Sequence, residues 1–405
     1  MKKFWKKGIA FLVVAAALGA GVAAVLQRNS GSFGGSYDGG SSESGHVHTF
    51  AESKRTLATC KARGERILSC RCGETKTEVL DRLAHDMVNG VCEDCGAEET
   101  KGLRLDVSTD GTYYIMKGIG NCTDTDVIIP REKNGKPVTE IAAYAFGSSV
   151  SGVHKEITSI NIPDTIDTIG KGAFNQCLSL TGIIVDGDNG TFCSVHEDLY
   201  TKDQETLVRY ALGKKDTSYT FLSTVKKIEA VAFCDAVWLT SITVPNAVTE
   251  IGERAFSGCD ALKKATIGKG VETIGAAPFA SCDSLKTISV NSQNEAYQDI
   301  DGNLYTKDGT ILLQYAIGKT DESLVVPDGV ITIGASAVAY NKDLRKVELP
   351  ATLTTIEDDA FSTTNINSLT FAGTKKAWKA VSLGKNWCYQ IGAVSVTCKD
   401  GGVNL

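Results

Sequence analysis

Two nested repeats run through the chain, and they leave it few ways to fold. Ala232-Phe233, Ala255-Phe256 and Phe279 recur every 23 residues, and a longer period of 105 residues carries Leu199-Tyr200-Thr201-Lys202-Asp203 onto Leu304-Tyr305-Thr306-Lys307-Asp308 without a gap. A unit of 23 residues cannot bury its own apolar face, so units must stack and share one continuous core. The expected fold is a repeat solenoid, mostly β, with short parallel strands and irregular returns.

Within each unit, apolar residues two apart mark a short strand whose alternate side chains point inward. Ten such pairs run from Val127/Ile129 to Leu369/Phe371, with Tyr219/Phe221 among them. Pro130, Pro163, Pro245, Pro327 and Pro350 follow five of them and end the ladder, since proline has no amide to donate. The return reads Val-x-x-Ile-Gly-x-x-Ala-Phe, as in 248–256, with Cys177, Cys259 and Cys282 three residues after the Phe. Stacking would line these thiols up as small buried hydrophobes rather than metal ligands.

The full pattern, Leu-x-x-Ile-x-Ile-Pro-x-x-Val-x-x-Ile-Gly-x-x-Ala-Phe-x-x-Cys-x-x-Leu, resembles the BspA-type leucine-rich repeat of bacterial surface proteins over residues 103–371. Thr112 through Pro130 resembles the entry module of such arrays, and 372–405, with Trp378, Trp387 and Cys398, their C-terminal cap. The resemblance implies a secreted or surface-held protein acting in adhesion and host-protein binding; a fold by itself names no ligand.

Strand spacing rises from 23 to 36 residues between Val185 and Phe221, and again between Val290 and Val326. Each insert reads as a β-hairpin leaving the solenoid. The second turns on Asp308-Gly309; the first has Asp203-Gln204-Glu205 and no glycine, so a longer turn is expected. Each carries a tyrosine pair, Tyr200/Tyr210 and Tyr305/Tyr315, with Lys202/Arg209 or Lys307 nearby. These rings either pack on the solenoid or form a duplicated partner-binding surface, the two copies about 19 Å apart at about 4.8 Å per rung. The residues between the inward pairs, Asn161, Ile184, Thr220, Thr243, Thr266, Ser289, Val325, Glu348 and Thr370, should face solvent; they lack the aromatic and Arg anchors that binding surfaces favour.

Lys2, Lys3, Lys6 and Lys7 precede an uncharged run over 8–26, about 28 Å long as a helix and close to the thickness of a bilayer core. Residues 1–26 therefore read as a signal-anchor or a cleaved signal peptide, with everything downstream outside the cytoplasm. A Gly/Ser-rich linker occupies 27–45. Residues 46–99 hold five of the thirteen cysteines and three of the five histidines. Cys70-Arg71-Cys72-Gly73 and Cys92-Glu93-Asp94-Cys95-Gly96 look like two zinc-ribbon knuckles, which makes Cys70, Cys72, Cys92 and Cys95 the expected ligands of a structural zinc ion. The first pair is Cys-x-Cys rather than Cys-x-x-Cys, so Cys60, His48 and His85 stand as substitute ligands, and disulfides are the competing reading outside the membrane.

A net charge of -6 and a pI near 5.5 argue against a nucleic-acid partner. No Gly-x-Ser-x-Gly elbow, His-Glu-x-x-His or phosphate-binding loop is present. Asp299-Ile300-Asp301-Gly302-Asn303 starts like a calcium loop, yet Thr310 stands where the closing carboxylate belongs, so an ordinary polar turn is expected. The functional expectation is a non-catalytic extracytoplasmic protein, held at the membrane by its N-terminal helix or secreted, that binds a protein or glycan on a host or neighbouring cell. The alternatives are a passive spacer at the cell envelope and a glycan- or peptide-active enzyme housed in the inserts.

Overall fold

The computed structural model describes residues 47–147, 156–393 and 395–405. The expected membrane segment 1–26 and the linker 27–45 lie outside the described residues. Among the described residues no helix is long and apolar enough to cross a membrane. The chain divides into two units: Met1–Thr49 with Cys70–Cys72, and Phe50–Ser69 with Gly73–Leu405.

In the second unit the apolar pairs form parallel strands in three blocks. Asp126–Ile128, Ser159–Ile162 and Gly182–Val185 make the first, and Ser241–Thr243, Lys264–Ile267 and Thr287–Val290 the second. Ser323–Val325, Lys346–Leu349, Ser368–Phe371 and Ser395–Cys398 make the third, closed by the antiparallel strand Gly401–Asn404. The expected strand at Tyr219/Phe221 is reduced to a single bridge, Ser218 with Ser241.

The returns are more regular than expected. Their Thr/Glu/Lys-Ile dipeptides form a second parallel ladder, with Lys227 paired to Glu250 and Glu250 to Thr273. The Ala-Phe segment forms a third set of inter-rung bonds: Val231 N–H to the Glu253 carbonyl (3.0 Å), Phe233 to Ala255 (2.8 Å) and Asp235 to Ser257 (2.9 Å). Two left-handed residues bend this segment in each rung, such as Arg254 (φ 53°) and Gly258 (φ 72°), or Ala277 (φ 54°) and Ser281 (φ 58°). The phenylalanines stack inside: Phe233 on Phe256 at 5.1 Å and Phe256 on Phe279 at 5.3 Å. Cys177, Cys259 and Cys282 are fully buried, and each thiol donates to the carbonyl of a phenylalanine in an adjacent rung, Phe146, Phe233 and Phe256 respectively.

The inserts do not leave the solenoid. Phe192–Val195, Asp198–Thr201 and Thr206–Arg209 form an antiparallel three-stranded unit whose last strand then pairs in parallel with Lys227–Ile228. Tyr297–Ile300, Asn303–Thr306 and Ile311–Gln314 repeat this and join Thr332–Ile333. Each insert thus starts a fresh return ladder. It also closes the edge of the preceding block, because the Ile183 and Ile288 N–H groups donate to the Glu197 and Gly302 carbonyls at 2.8 Å. The longer turn expected in the first copy is absent. Gln204 takes the left-handed conformation (φ 61°) that Gly309 takes in the second (φ 72°), within the same span.

A buried asparagine anchors the entry to each insert. Asn294 donates to the Gly268 and Val271 carbonyls and accepts from the Ala296 and Tyr297 N–H groups, all at 2.7 to 2.9 Å, and Asn189 does the same one long period earlier.

The Cys-rich module packs on the first block. Ala84, His85 and Met87 face Ile128, Asn161 and Ile184 across a cavity of about 20 Å³. Asn161 and Ile184, expected on the open face, are therefore only 7% and 3% exposed, whereas Val325 in the uncovered third block is 63% exposed. The clamp is ionic: Arg63 and Arg82 both hold the Glu197 carboxylate, at 2.7 and 3.1 Å, and Asp81 accepts from the His196 N–H at 2.6 Å. His196 and Glu197 form a left-handed turn (φ 52° and 60°) that Asp301 and Gly302 form in the second insert (φ 54° and 70°). Glutamate in a glycine conformation costs about 1–2 kcal/mol, which the two arginines offset. Burial works to raise the Glu197 pKa, but the two arginines outweigh it and hold the carboxyl at about 2.

Two outcomes follow from this packing. Asn294→Ala takes the side-chain partner from the buried Val271 carbonyl and Tyr297 N–H and from the half-buried Ala296 N–H, and should lower unfolding free energy by about 2–4 kcal/mol, read from urea denaturation; a change under 1 kcal/mol would contradict the anchoring role. Glu197→Gly keeps the turn, as Gly302 demonstrates, and removes the clamp. Limited proteolysis should then cut within 50–99 at least tenfold faster while the calorimetric midpoint of the repeats stays put. Since the folded pKa lies below the ordinary 4.5, the clamp is complete above that pH and weakens as pH falls toward 2.

Candidate functional site

The four tyrosines expected to meet a partner are core residues, each 1% exposed. Tyr210 takes the place of a ladder phenylalanine and stacks on Phe233 at 5.2 Å. The Tyr200 hydroxyl meets that of Tyr219 at 2.5 Å, and Tyr219 bonds Asp198 at 3.2 Å. Asp198 is buried, which pushes its pKa up, and Lys214 at 2.6 Å offsets the cost of its charge. Arg209 is equally internal and donates to the Phe174, Val231 and Cys234 carbonyls. An insert that adds three strands needs a core of its own, and the rings provide it; none can touch a partner in the folded state.

A surface the sequence did not mark lies where the Cys-rich module meets the first insert. A groove of about 850 Å³ is lined by Lys61, Arg63, Arg82, Lys214 and Lys215 against Asp81, Glu197 and Asp216. Lys214 is taken up by the buried Asp198, and the other four cations face three carboxylates, a small positive surplus on a chain whose net charge is -6. Lys215 also lies over the Trp238 ring, 5.6 Å from its centroid, and Trp238 is 48% exposed. The only signal in the sequence was Lys214-Lys215 at the end of the insert; its convergence with Arg63 and Arg82 depends on docking.

The metal-type side chains form two groups. Cys92 ends the hairpin of Met87–Val88 and Val91–Cys92, and Cys95 lies in the turn after it. The Gly96 N–H donates to the Cys92 carbonyl at 2.9 Å. The strands Gly64–Cys70 and Thr75–Leu80 pair antiparallel, and their Gly64–Leu80 end draws together the residues just before the first and just after the second, where the Leu83 N–H donates to the Thr59 carbonyl at 3.1 Å. Cys60 and His85 consequently join Cys92 and Cys95, with all four donor atoms within 4.8 Å of one another and His85 Nδ1 3.4 Å from Cys95 Sγ. Burial, reinforced by the Cys95 and Cys92 thiols, pushes the Cys60 thiol up to about 12, and burial lowers the His85 pKa, favouring the neutral ring.

Cys70 and Cys72, in the other unit, group with His48, whose Nδ1 is 3.3 Å from Cys72 Sγ. Of the expected set, Cys92 and Cys95 meet Cys60 and His85, and Cys70 and Cys72 meet His48. Spacing along the chain suggested two knuckles facing each other, whereas strand pairing supplies each cysteine pair with a histidine.

Comparison with known proteins places the repeats. The family described as BspA type leucine rich repeat region matches in six copies, over residues 121–194, 210–306 and 317–384. No curated protein matches the chain. Among solved structures, a leucine-rich repeat protein from Eubacterium ventriosum is 23% identical with a TM-score of 0.42, over 70% of this chain and 66% of that one, just under two thirds of its length. The pneumococcal vaccine antigen PcpA is 22% identical with a TM-score of 0.39, over 74% of this chain and 80% of its own. A leucine rich cell surface protein from Faecalibacterium prausnitzii is 21% identical with a TM-score of 0.36, over 70% and 96%. Matched by the repeat family over more than half of its residues, this chain belongs to the BspA-type leucine-rich repeat proteins.

Proposed function

We propose that the chain is a non-catalytic repeat protein, displayed outside the cytoplasm by residues 8–26 or secreted, that captures a protein or glycan of a host or neighbouring cell. The observation that carries this reading is the basic groove beside Trp238. An aromatic ring that remains half-exposed next to a surplus of cations is the composition that binding hot spots favour, and it sits on an otherwise acidic molecule. Its partner would be acidic, whether an acidic protein segment or an anionic glycan. The cations also give the encounter an electrostatic pull that salt screens.

The uncovered strand face of the second and third blocks is a weaker candidate. Thr243 and Val325 are exposed there, but the aromatic and Arg anchors that carry binding energy are missing from its central positions.

Binding of residues 47–405 to host-cell and bacterial surfaces should be saturable and should weaken as salt rises from 0.05 to 0.5 M. Lys215→Ala combined with Trp238→Ala should cut affinity about tenfold or more, on the order of 2 kcal/mol, with no change in thermal midpoint. Binding that never saturates, or that ignores both substitutions, would sink the groove and leave the spacer role standing.

A further inference from the structure

We propose that Cys60, His85, Cys92 and Cys95 bind one zinc ion, and that this ion holds Arg63 and Arg82 in position on Glu197. The inference goes beyond the binding role and does not depend on it.

The module has no other core. Between Phe50 and Glu99 the buried cysteines and histidine are Cys60, His85 and Cys92 of this cluster, together with Cys70 of the other unit; no Leu, Ile, Val, Phe or Met of that stretch is buried. A segment of this size with no buried aliphatic or aromatic side chain cannot offset the entropy of its ordering by hydrophobic burial, so a staple must.

The donors suit zinc. Three thiolates and one imidazole form a closed tetrahedral shell, and ligand distances of about 2.3 Å to sulfur and 2.0 Å to nitrogen separate neighbouring donors by about 3.5 Å. The His85 Nδ1 to Cys95 Sγ distance of 3.4 Å matches that edge. Soft sulfur donors disfavour calcium or magnesium. The ring's other nitrogen, Nε2, is buried without a hydrogen-bond partner, which leaves Nδ1 as the atom turned to the thiols. A closed shell leaves no position for an activated water, so the ion is structural.

Position in the chain links the ion to docking. Arg63 lies three residues after Cys60 and Arg82 three before His85. Both clamp residues hang on short leashes from two ligands in different loops, Cys60 between Thr56 and Gly64 and His85 between Leu80 and Met87. The Lys61 ammonium also donates to the Cys95 carbonyl at 3.2 Å, tying the groove's rim to the same cluster. Fixing the four donors therefore fixes the two guanidinium groups that meet Glu197.

The test uses the full-length chain purified under reducing conditions without added metal. Cys70→Ser with Cys72→Ser should still carry one equivalent of zinc by mass spectrometry. After exchange it should show cobalt(II) absorption bands of tetrahedral thiolate coordination. Adding His85→Ala and Cys95→Ser to that background should lower cobalt affinity at least 100-fold. Absence of metal from the Cys70→Ser/Cys72→Ser protein, or a disulfide among Cys60, Cys92 and Cys95 in the purified chain, would overturn the site. Chelation should speed proteolysis within 50–99 at least tenfold while the repeats stay resistant. An unchanged rate, with metal removal verified, would overturn the coupling between ion and clamp.

Discussion

Each rung is completed by the next one. Its strand, its Thr-Ile return and its Ala-Phe segment all send hydrogen bonds across to a neighbouring copy, and its phenylalanine lies against the ring of the copy beside it. This dependence lets the returns adopt a conformation that few side chains choose alone. Arg254 and Ala277 sit in the left-handed region without being glycine, and Arg254 holds that geometry while donating to the Ala276 carbonyl at 3.0 Å. The local cost is met by bonds that exist only in the stack.

The same dependence explains why the inserts matter. A ladder of open strands presents unpaired amides at its edge, and each insert closes one ladder while it opens another. The rings of Tyr200, Tyr210, Tyr305 and Tyr315 make that possible by filling the space a plain rung fills with one phenylalanine. The two inserts share a sequence period yet differ at one turn. Gly302 is the residue the backbone prefers, and Glu197 is what two arginines require. A strained turn and a docked module are therefore two sides of one arrangement, and the basic groove beside Trp238 exists only because of it.

The solenoid was largely legible in the sequence because it is a periodic object, and periodicity survives any uncertainty about detail. The strand pairs other than Tyr219/Phe221, the terminating prolines and the buried Cys177, Cys259 and Cys282 occupy the places their spacing implied. The tyrosines misled because an aromatic that anchors a partner and one that anchors a core are the same residue type. The knuckle cysteines misled because metal donors are selected by distance in space. Cys60 and His85 reach Cys92 and Cys95 only after Gly64 pairs with Leu80.

What the sequence alone determined is that apolar residues recurring every 23 positions must be roofed by their neighbours, since no single copy can hide them. Tertiary structure decided which edges the inserts close, which face the Cys-rich module covers, and which donors meet. Those outcomes depend on contacts between residues far apart in the chain, such as Arg63 with Glu197, and a linear pattern holds no record of such distances.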